Sequence, residues 1–306
     1  MNAMVLAAGL GTRARPLSLV RPKCLFPVLN RPLIDHAVEK LVNAGVKAIV
    51  VNTFHLGRLV EKFLAAGNYP LSIEISREKQ LLGTGGGLKN AARLLGPDPF
   101  LVYNADIMTN LDLKTIAEEH KTDGRLATLV LHDYPPLSRV DLDSQDRVVG
   151  LRDYRLPKAT PTRRLAFTGI HVIDPQVLTW IADGPGDIID TYLTLLRAGG
   201  TIKAYVAENP QWWDSGTLES YLALHDALLS AKTCQVISAA GARIAPGAVI
   251  EGWACLGENA LLEPGAVVVK SVLWPGARIA SGVTIDNCVV ADGVIVRENS
   301  RGLALV

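Results

Sequence analysis

Cysteine is scarce in this chain. The four among 306 residues, Cys24, Cys234, Cys255 and Cys288, stand far apart with no CxxC pair. That spacing excludes a disulfide framework and a zinc ribbon, and it predicts buried free thiols in a reducing, cytoplasmic setting. An excess of either charge is also missing. The 31 basic and 30 acidic residues leave a formal net charge of +1, so neither nucleic acid nor a membrane surface is an expected partner. No uncharged apolar run reaches the roughly 18 residues of a transmembrane helix. Met1-Asn2 is not basic and the apolar stretch after it is short, so no signal segment is expected. The six histidines end at His225.

Apolar residues make up 49% of the chain, and its length suits two domains. Strands are expected at 3–8, 47–52, 71–76, 100–103, 126–132, 147–151 and 166–173. Helices are expected from Pro32 to the stop at Gly45, and over 55–66, 88–95, 113–120, 188–198 and 217–230. The first of these has one apolar face, Ile34, Ala37, Val38, Leu41 and Val42, and Asp112 can cap the helix at 113. The stretch Gly83–Gly87 reads as a flexible loop. Alternating strands and helices predict an α/β domain with a doubly wound, mostly parallel sheet, whose ligands sit beyond the carboxyl ends of the strands.

Past residue 232 the rhythm changes. Ala242, Ala248, Ala254, Ala260 and Ala266 recur every six residues, each followed two places on by Ile244, Ile250, Leu256, Leu262 and Val268. With one residue missing near Pro275, the frame resumes at Ala277, Val283 and Val289, with Ile279 and Ile285. Period six is that of a hexapeptide solenoid, in which the aliphatic residue fills the axis and the small one keeps the corner tight. Two domains are therefore expected, at 1–232 and 233–306. The second is expected to be a left-handed parallel β-helix with flat faces suited to homo-oligomers.

Gly9-Leu10-Gly11-Thr12-Arg13-Ala14 fits the relaxed dinucleotide fingerprint, yet that fingerprint needs a helix to start within it. Pro16, Pro22 and Pro27 forbid one, since each proline inside a helix costs roughly 3 kcal/mol. The glycines instead open a long loop bearing Arg13, Arg15, Arg21 and Lys23 with no acid among them. Gly9 and Gly11 let backbone N–H groups approach a phosphate, which the guanidinium groups can grip in bidentate fashion. Such a loop suits a nucleoside triphosphate better than a dinucleotide, although the P-loop pattern is absent. The plain alternative is a solvated basic loop.

The stretch Gly9–Arg13 with Pro16-Leu17, Pro22-Lys23, Pro27-Val28 and Pro32-Leu33-Ile34 resembles the signature of sugar-1-phosphate nucleotidyltransferases. Four further stretches agree with it: Leu82–Gly87, Asn104-Ala105-Asp106, Phe167–Ile170 and Trp212–Thr217. A hexapeptide solenoid after the catalytic domain is common in that family, so the resemblance covers nearly the whole chain. It extends about equally to the mannose-1-phosphate guanylyltransferase and N-acetylmuramate 1-phosphate uridylyltransferase branches.

The resemblance implies a Rossmann-like nucleotidyltransferase fold and Mg²⁺-dependent formation of an NDP-sugar and pyrophosphate from a nucleoside triphosphate and a sugar-1-phosphate. Arg13 would hold the leaving phosphates, Lys23 would neutralise charge beside the reacting ones, and Asp106 and Asp214 would share the Mg²⁺. Ala8, Gly9, Gly11, Thr12, Glu78 and Gly83 would line the nucleotide. Asn104 and Gly169 would contact the sugar. A carboxylate such as Glu78 can accept from both N1–H and the amino group of guanine, which tilts the choice toward GTP. The alternatives are an exposed strand-end charge for Glu78, a helix cap for Asp214 and a strand bulge for Gly169.

Two departures stand out. Ala105 replaces a usual glycine. The segment that delivers a lysine to the sugar phosphate in many relatives is here Leu151-Arg152-Asp153-Tyr154-Arg155, leaving Arg152, Arg155, Lys158, Arg163 or Arg164 as substitutes. An acyltransferase role for the solenoid is disfavoured because none of its residues is histidine. A non-catalytic nucleotide-sugar-binding assembly subunit is the remaining alternative.

Overall fold

The computed structural model describes residues 1–121, 124–230 and 235–306. Cys234 and the expected boundary between 232 and 233 lie outside the described residues. The chain forms two compact units, Met1–Gly9 with His36–Trp212, and Leu10–Asp35 with Trp213–Val306.

The first unit is built on a ten-stranded sheet. Its centre comprises β1 (Ala3–Leu6), β2 (Ala48–Thr53), β3 (Ser72–Arg77) and β4 (Phe100–Asn104), which pair in parallel in the order β3-β2-β1-β4. Ala3, Met4, Val5, Ile49, Val50, Val51, Leu101 and Val102 are fully buried, the continuous apolar runs of parallel strands covered on both faces. The sheet continues through β5 (Ala127–His132), β6 (Ser138–Leu142), β7 (Val148–Leu151), β8 (Tyr154–Arg155), β9 (Arg163–Ile173) and β10 (Ile202–Ala207). β9 lies antiparallel to β4, β5 and β6, β7 lies antiparallel to β6 and β8, and β10 lies parallel to β5. Traced through these pairings, β7 and β9 alone among the ten run against β1, so the sheet is mostly parallel, as the alternation of elements implied.

Six helices matter to the description: α1 (Leu33–Asn43), α2 (Gly57–Ala66), α3 (Gly83–Asn90), α4 (Leu113–His120), α5 (Ile188–Arg197) and α6 (Leu218–Ser230). Ile34, Ala37, Val38 and Leu41 of α1 are buried, as their spacing requires. Asp112 caps α4, accepting from the N–H groups of Lys114 and Thr115 at 3.0 and 3.4 Å.

One expectation is overturned. Gly83–Gly87 is not a flexible loop but the first half of α3. The backbone at 184–187 lies directly on it: Gly85 N–H donates to Gly186 O at 2.9 Å and Gly186 N–H to Leu82 O at 2.9 Å. A Cβ on Gly86 would stand 2.5 Å from Gly184 O. The glycines lower helix propensity but admit a backbone neighbour that no other residue could.

In the second unit every strand pairing from Val236 onward is parallel among the described residues. Ile244 pairs with Leu262, Leu262 with Ile279, and Ile279 with Val296; successive turns are therefore offset first by 18 residues and then by 17, and the final pairings, Ile285 with Ser300 and Val290 with Leu305, by 15. Ala254, Ala260, Ala266 and Ala277 pack inside with Leu256, Leu262, Val268, Ile279 and Ile285. This bears out the alternation of small and aliphatic positions, consistent with a β-helix. Ile244, in the first turn, is 46% exposed because its strand has a neighbour on one side only among the described residues.

The irregularity placed near Pro275 lies elsewhere. Inward positions run Val268, Leu273, Ile279, Ile285, Val290 and Val296, and the small site after Val283 is Cys288 rather than Val289. Each of the next two turns, from Leu256 to Leu273 and from Leu273 to Val290, thus has one side of five residues. The first turn carries the surplus as a bulge, where pairing shifts from Glu251–Val269 to Ala254–Ser271. The bulge contains Trp253, whose indole stacks on His225 of α6 (centroids 5.7 Å apart) and donates to Asp226 at 2.8 Å.

Candidate active site

In the second unit the opening loop behaves as its prolines dictate. Gly11 has φ +61°, and the chain beyond it makes three short turns, Thr12–Ala14, Leu17–Val20 and Lys23–Leu25, rather than the long helix of a dinucleotide fingerprint. Two of the loop's cations converge on one distant carboxylate: Arg13 Nη2 is 3.2 Å and Lys23 Nζ 3.4 Å from Asp214. Gly216 makes this possible, because a Cβ there would stand 2.5 Å from Arg13 Nη2 and 2.9 Å from Asp214 Oδ1. Asp214 does not cap α6. The side chain of Thr217 does, accepting from Ser220 N–H at 3.1 Å. Ser215 is fully buried, and its hydroxyl has no hydrogen-bond partner among the described residues. Two positive charges against one negative leave this cluster suited to an anion.

In the first unit, Ala8 is buried and Gly9 exposed at the end of the segment that begins with β1. Glu78 is buried rather than an exposed strand-end charge. Asn52 Nδ2 donates to Oε1 at 2.7 Å and Leu82 N–H to Oε2 at 2.9 Å, while Asn52 Oδ1 accepts from Ala7 N–H at 2.7 Å. The carboxylate therefore links the first residues after β1 to the entry of α3, and each oxygen keeps a lone pair for a further donor. Asn52 escaped sequence reasoning; a lone amide closing the apolar run Ala48–Val51 was the available signal.

Asn104 closes β4 with Asp106 two residues on. Tyr103 is fully buried, donates to Ile107 O at 2.9 Å, and is held protonated to very high pH by burial and secondarily by the charge of Asp106. Gly169 lies in the segment where β9 shifts register against β5, with the carboxamide of Asn104, at the end of β4, directly beside it; the two sugar-site candidates are together. Beside them Trp212 Nε1 donates to Thr168 O at 3.0 Å, and its ring packs on His132 (4.9 Å) and Tyr134 (5.9 Å). Burial lowers the pKa of His132, so this wall is neutral at pH 7.

The basic segment that departs from the family pattern is held by acids. Arg152 pairs with Asp187 and with Asp190 (2.8 Å), Arg155 with Asp141 (2.8 Å), and Arg163 with Asp146. Arg164 donates to Arg152 O at 2.9 Å. Asp187 also accepts from Thr84 Oγ1 at 3.0 Å, so it joins the Gly-Thr-Gly motif of α3 to Arg152. Nothing in the local sequence of Asp187 signalled that role.

A model of the nucleotidyl transferase family matches residues 2–231. The chain belongs to that family. Mannose-1-phosphate guanylyltransferase from Mycobacterium tuberculosis is 29% identical over 302 residues, 94% of this chain and 83% of that protein. N-acetylmuramate alpha-1-phosphate uridylyltransferase from Caulobacter vibrioides is 34% identical over 248 residues, 75% of this chain and 97% of that protein. The structure of UDP-glucose pyrophosphorylase from Acinetobacter baumanii superposes with a TM-score of 0.63 at 21% identity, over 76% of this chain and 95% of that one, a likeness of fold. This nucleotidyltransferase has no helix long and apolar enough to cross a membrane among its described residues.

Mg²⁺ takes few carboxylates, prefers oxygen ligands and keeps several waters. Asp106 lies in the first unit and Asp214 in the second, and each carries a carboxylate, the donor type this ion takes. Among the described residues no group of three or more His, Cys, Asp or Glu side chains could hold a metal ion.

Proposed function

We propose that this nucleotidyltransferase joins a nucleoside triphosphate to a sugar-1-phosphate, with GTP and mannose-1-phosphate, or a related sugar, as its pair. An oxygen of the sugar phosphate attacks the α-phosphorus. The new P–O bond forms as the bond to the β-phosphate breaks, and the electron pair leaves with pyrophosphate. Both reactants are anions, so the protein's work is alignment and charge stabilisation. Arg13 grips the leaving phosphates, and Lys23 neutralises charge beside the reacting ones. Ala8, Gly9, Gly11, Thr12, Glu78 and Gly83 line the nucleotide, and Asn104 and Gly169 the sugar. Asp106 and Asp214 would hold Mg²⁺, which supplies charge neutralisation on phosphate oxygens.

The convergence of Arg13 and Lys23 on Asp214 carries this proposal; a merely solvated basic loop has no reason to assemble it. The 34% identity to the Caulobacter uridylyltransferase favours a second reading, in which UTP and an N-acetylmuramate or other hexose 1-phosphate are the pair. The C-terminal turns are proposed to coil left-handed and to mediate homo-oligomers, which light scattering reads directly.

A matrix of nucleoside triphosphates against sugar-1-phosphates with pyrophosphate detection tests the function. Mg²⁺-dependent release, fastest with GTP and mannose-1-phosphate, is expected, and UTP with N-acetylmuramate 1-phosphate selects the second reading. Asp106→Ala should lower the rate by about 100-fold or more; an unchanged rate removes Asp106 from the chemistry. Binding without turnover across the matrix would support the non-catalytic subunit instead.

A further inference from the structure

Lys23 sits between two anchors that tie the opening loop to the C-terminal coil. Two residues before it, Arg21 reaches Asp292 at 2.6 Å and lies over the Trp274 indole, 4.9 Å from its centroid. Three residues after it, the Phe26 ring packs on Trp274 (5.0 Å) and edge-on against Tyr221 (5.8 Å). Tyr221, fully buried, donates its hydroxyl to Pro27 O. At the next hairpin, Asn30 Nδ2 donates to Leu256 O at 2.9 Å. Leu256, Trp274 and Asp292 are each 18 residues apart, so the loop is fastened to three successive turns.

Arg21 differs from its basic neighbours in kind. Its side chain is 22% exposed, against 64% for Arg13, and its guanidinium is engaged with an acid and an aromatic face. It is therefore an anchor rather than a phosphate ligand. The short turn Lys23–Leu25 hangs between Arg21 and Phe26, so where the coil holds these two residues decides where the Lys23 ammonium stands.

We propose that the coil is part of the triphosphate grip, with Asp292, through Arg21, as a positioning residue for Lys23. This rests on the nucleotidyltransferase reading of Lys23 and extends it: residues remote in sequence and outside the catalytic motifs set affinity for the nucleotide, not for the sugar phosphate. A contact that positions one substrate shows itself in the KM for that substrate, whereas a merely structural contact lowers stability or active fraction without that selectivity.

The experiment compares full-length wild type, Asp292→Asn, Asp292→Glu and Arg21→Gln. Steady-state kinetics are measured with both substrates varied, inorganic pyrophosphate is titrated by calorimetry with Mg²⁺ present, and thermal unfolding is followed alongside. Asp292→Asn should raise the KM for the triphosphate about 3- to 10-fold and weaken pyrophosphate binding by a similar factor. The KM for the sugar phosphate and the unfolding midpoint should hold. Asp292→Glu should restore most of the loss. Arg21→Gln should match Asp292→Asn, and the double variant should be no worse, as for two members of one pair. Wild-type triphosphate KM and pyrophosphate affinity in a well-folded Asp292→Asn protein would overturn the coil's role and leave the transferase reading standing. Lack of turnover in the wild type would overturn the transferase reading, while the pyrophosphate titration would still decide the coil's role.

Discussion

The closeness of Gly216 to Arg13 yields a sharp test of the site. In Gly216→Ala the new Cβ would stand 2.5 Å from Arg13 Nη2 and 2.8 Å from its Cζ, far inside contact distance. The obstructed groups are the ends of two side chains, the Arg13 guanidinium, which is 64% exposed, and less severely Asp214 Oδ1 at 2.9 Å, so Arg13 can swing into solvent and the fold has no reason to fail. The pair it abandons with Asp214 is a largely exposed one, worth about 1 kcal/mol or less, and the melting temperature should fall by no more than about 2–4 °C. Catalysis should be more exposed to the change, because a displaced guanidinium would no longer meet the leaving phosphates that Arg13 is proposed to hold. A loss of about 10- to 100-fold in kcat/KM is expected, equivalent to about 1.4–2.7 kcal/mol of transition-state stabilisation. Arg13→Gln should produce a loss of the same size, and Gly216→Ala should add little to it. The assay is pyrophosphate release on protein whose unfolding curve has been checked. A folded Gly216→Ala protein with wild-type kcat/KM would refute the assignment of Arg13 to the triphosphate.

Two further expectations concern stability. In Gly86→Ala the added Cβ meets the backbone oxygen of Gly184 at 2.5 Å, which cannot rotate away. Overpacking of this kind costs about 1–3 kcal/mol and should appear as a lower urea midpoint, whereas Gly186→Ala, with no atom within 4 Å of its Cβ, should leave the midpoint in place. His171, fully buried against Tyr192, has its pKa driven by burial from 6.5 down to about 3. Its unfolded form takes up a proton below about pH 6.5 that the folded form refuses, so this contribution to stability is complete above that pH and is lost as pH falls toward 3. Urea unfolding at pH 5.5 should give a free energy about 1 kcal/mol below that at pH 7.5, and the difference should shrink in His171→Gln.

Much of the architecture was legible because its determinants are local. Prolines at 16, 22 and 27 forbid a helix whatever surrounds them, and the short turns there obey. The apolar face of α1 and the cap at Asp112 likewise need only their neighbours in sequence. Gly83–Gly87 was misjudged for the opposite reason: its propensity says loop, and only the backbone at 184–187, a hundred residues later, makes it a helix. β6 and β10 went unread because Arg139 and Asp141 interrupt the apolar signal of one, and the other comes after a glycine stop with mixed polarity. At the site, the loop cations and Asp214 could be picked out from their motifs, but the 201 residues between Arg13 and Asp214 hide the fact that they meet. Arg21 and Asp292, 271 residues apart, left no trace at all, since an isolated aspartate in a repeat looks like any solvated charge.

The surplus residue at Trp253 gives the coil a direction. The two turns that follow it share one length and one internal plan, so in principle they could be exchanged or multiplied like identical beads, while the last pairings close on a shorter offset. The opening turn is custom-made: its extra residue is a peg cut for a single helix. Engineering that lengthens or shuffles this module should therefore spare its beginning and work downstream of it.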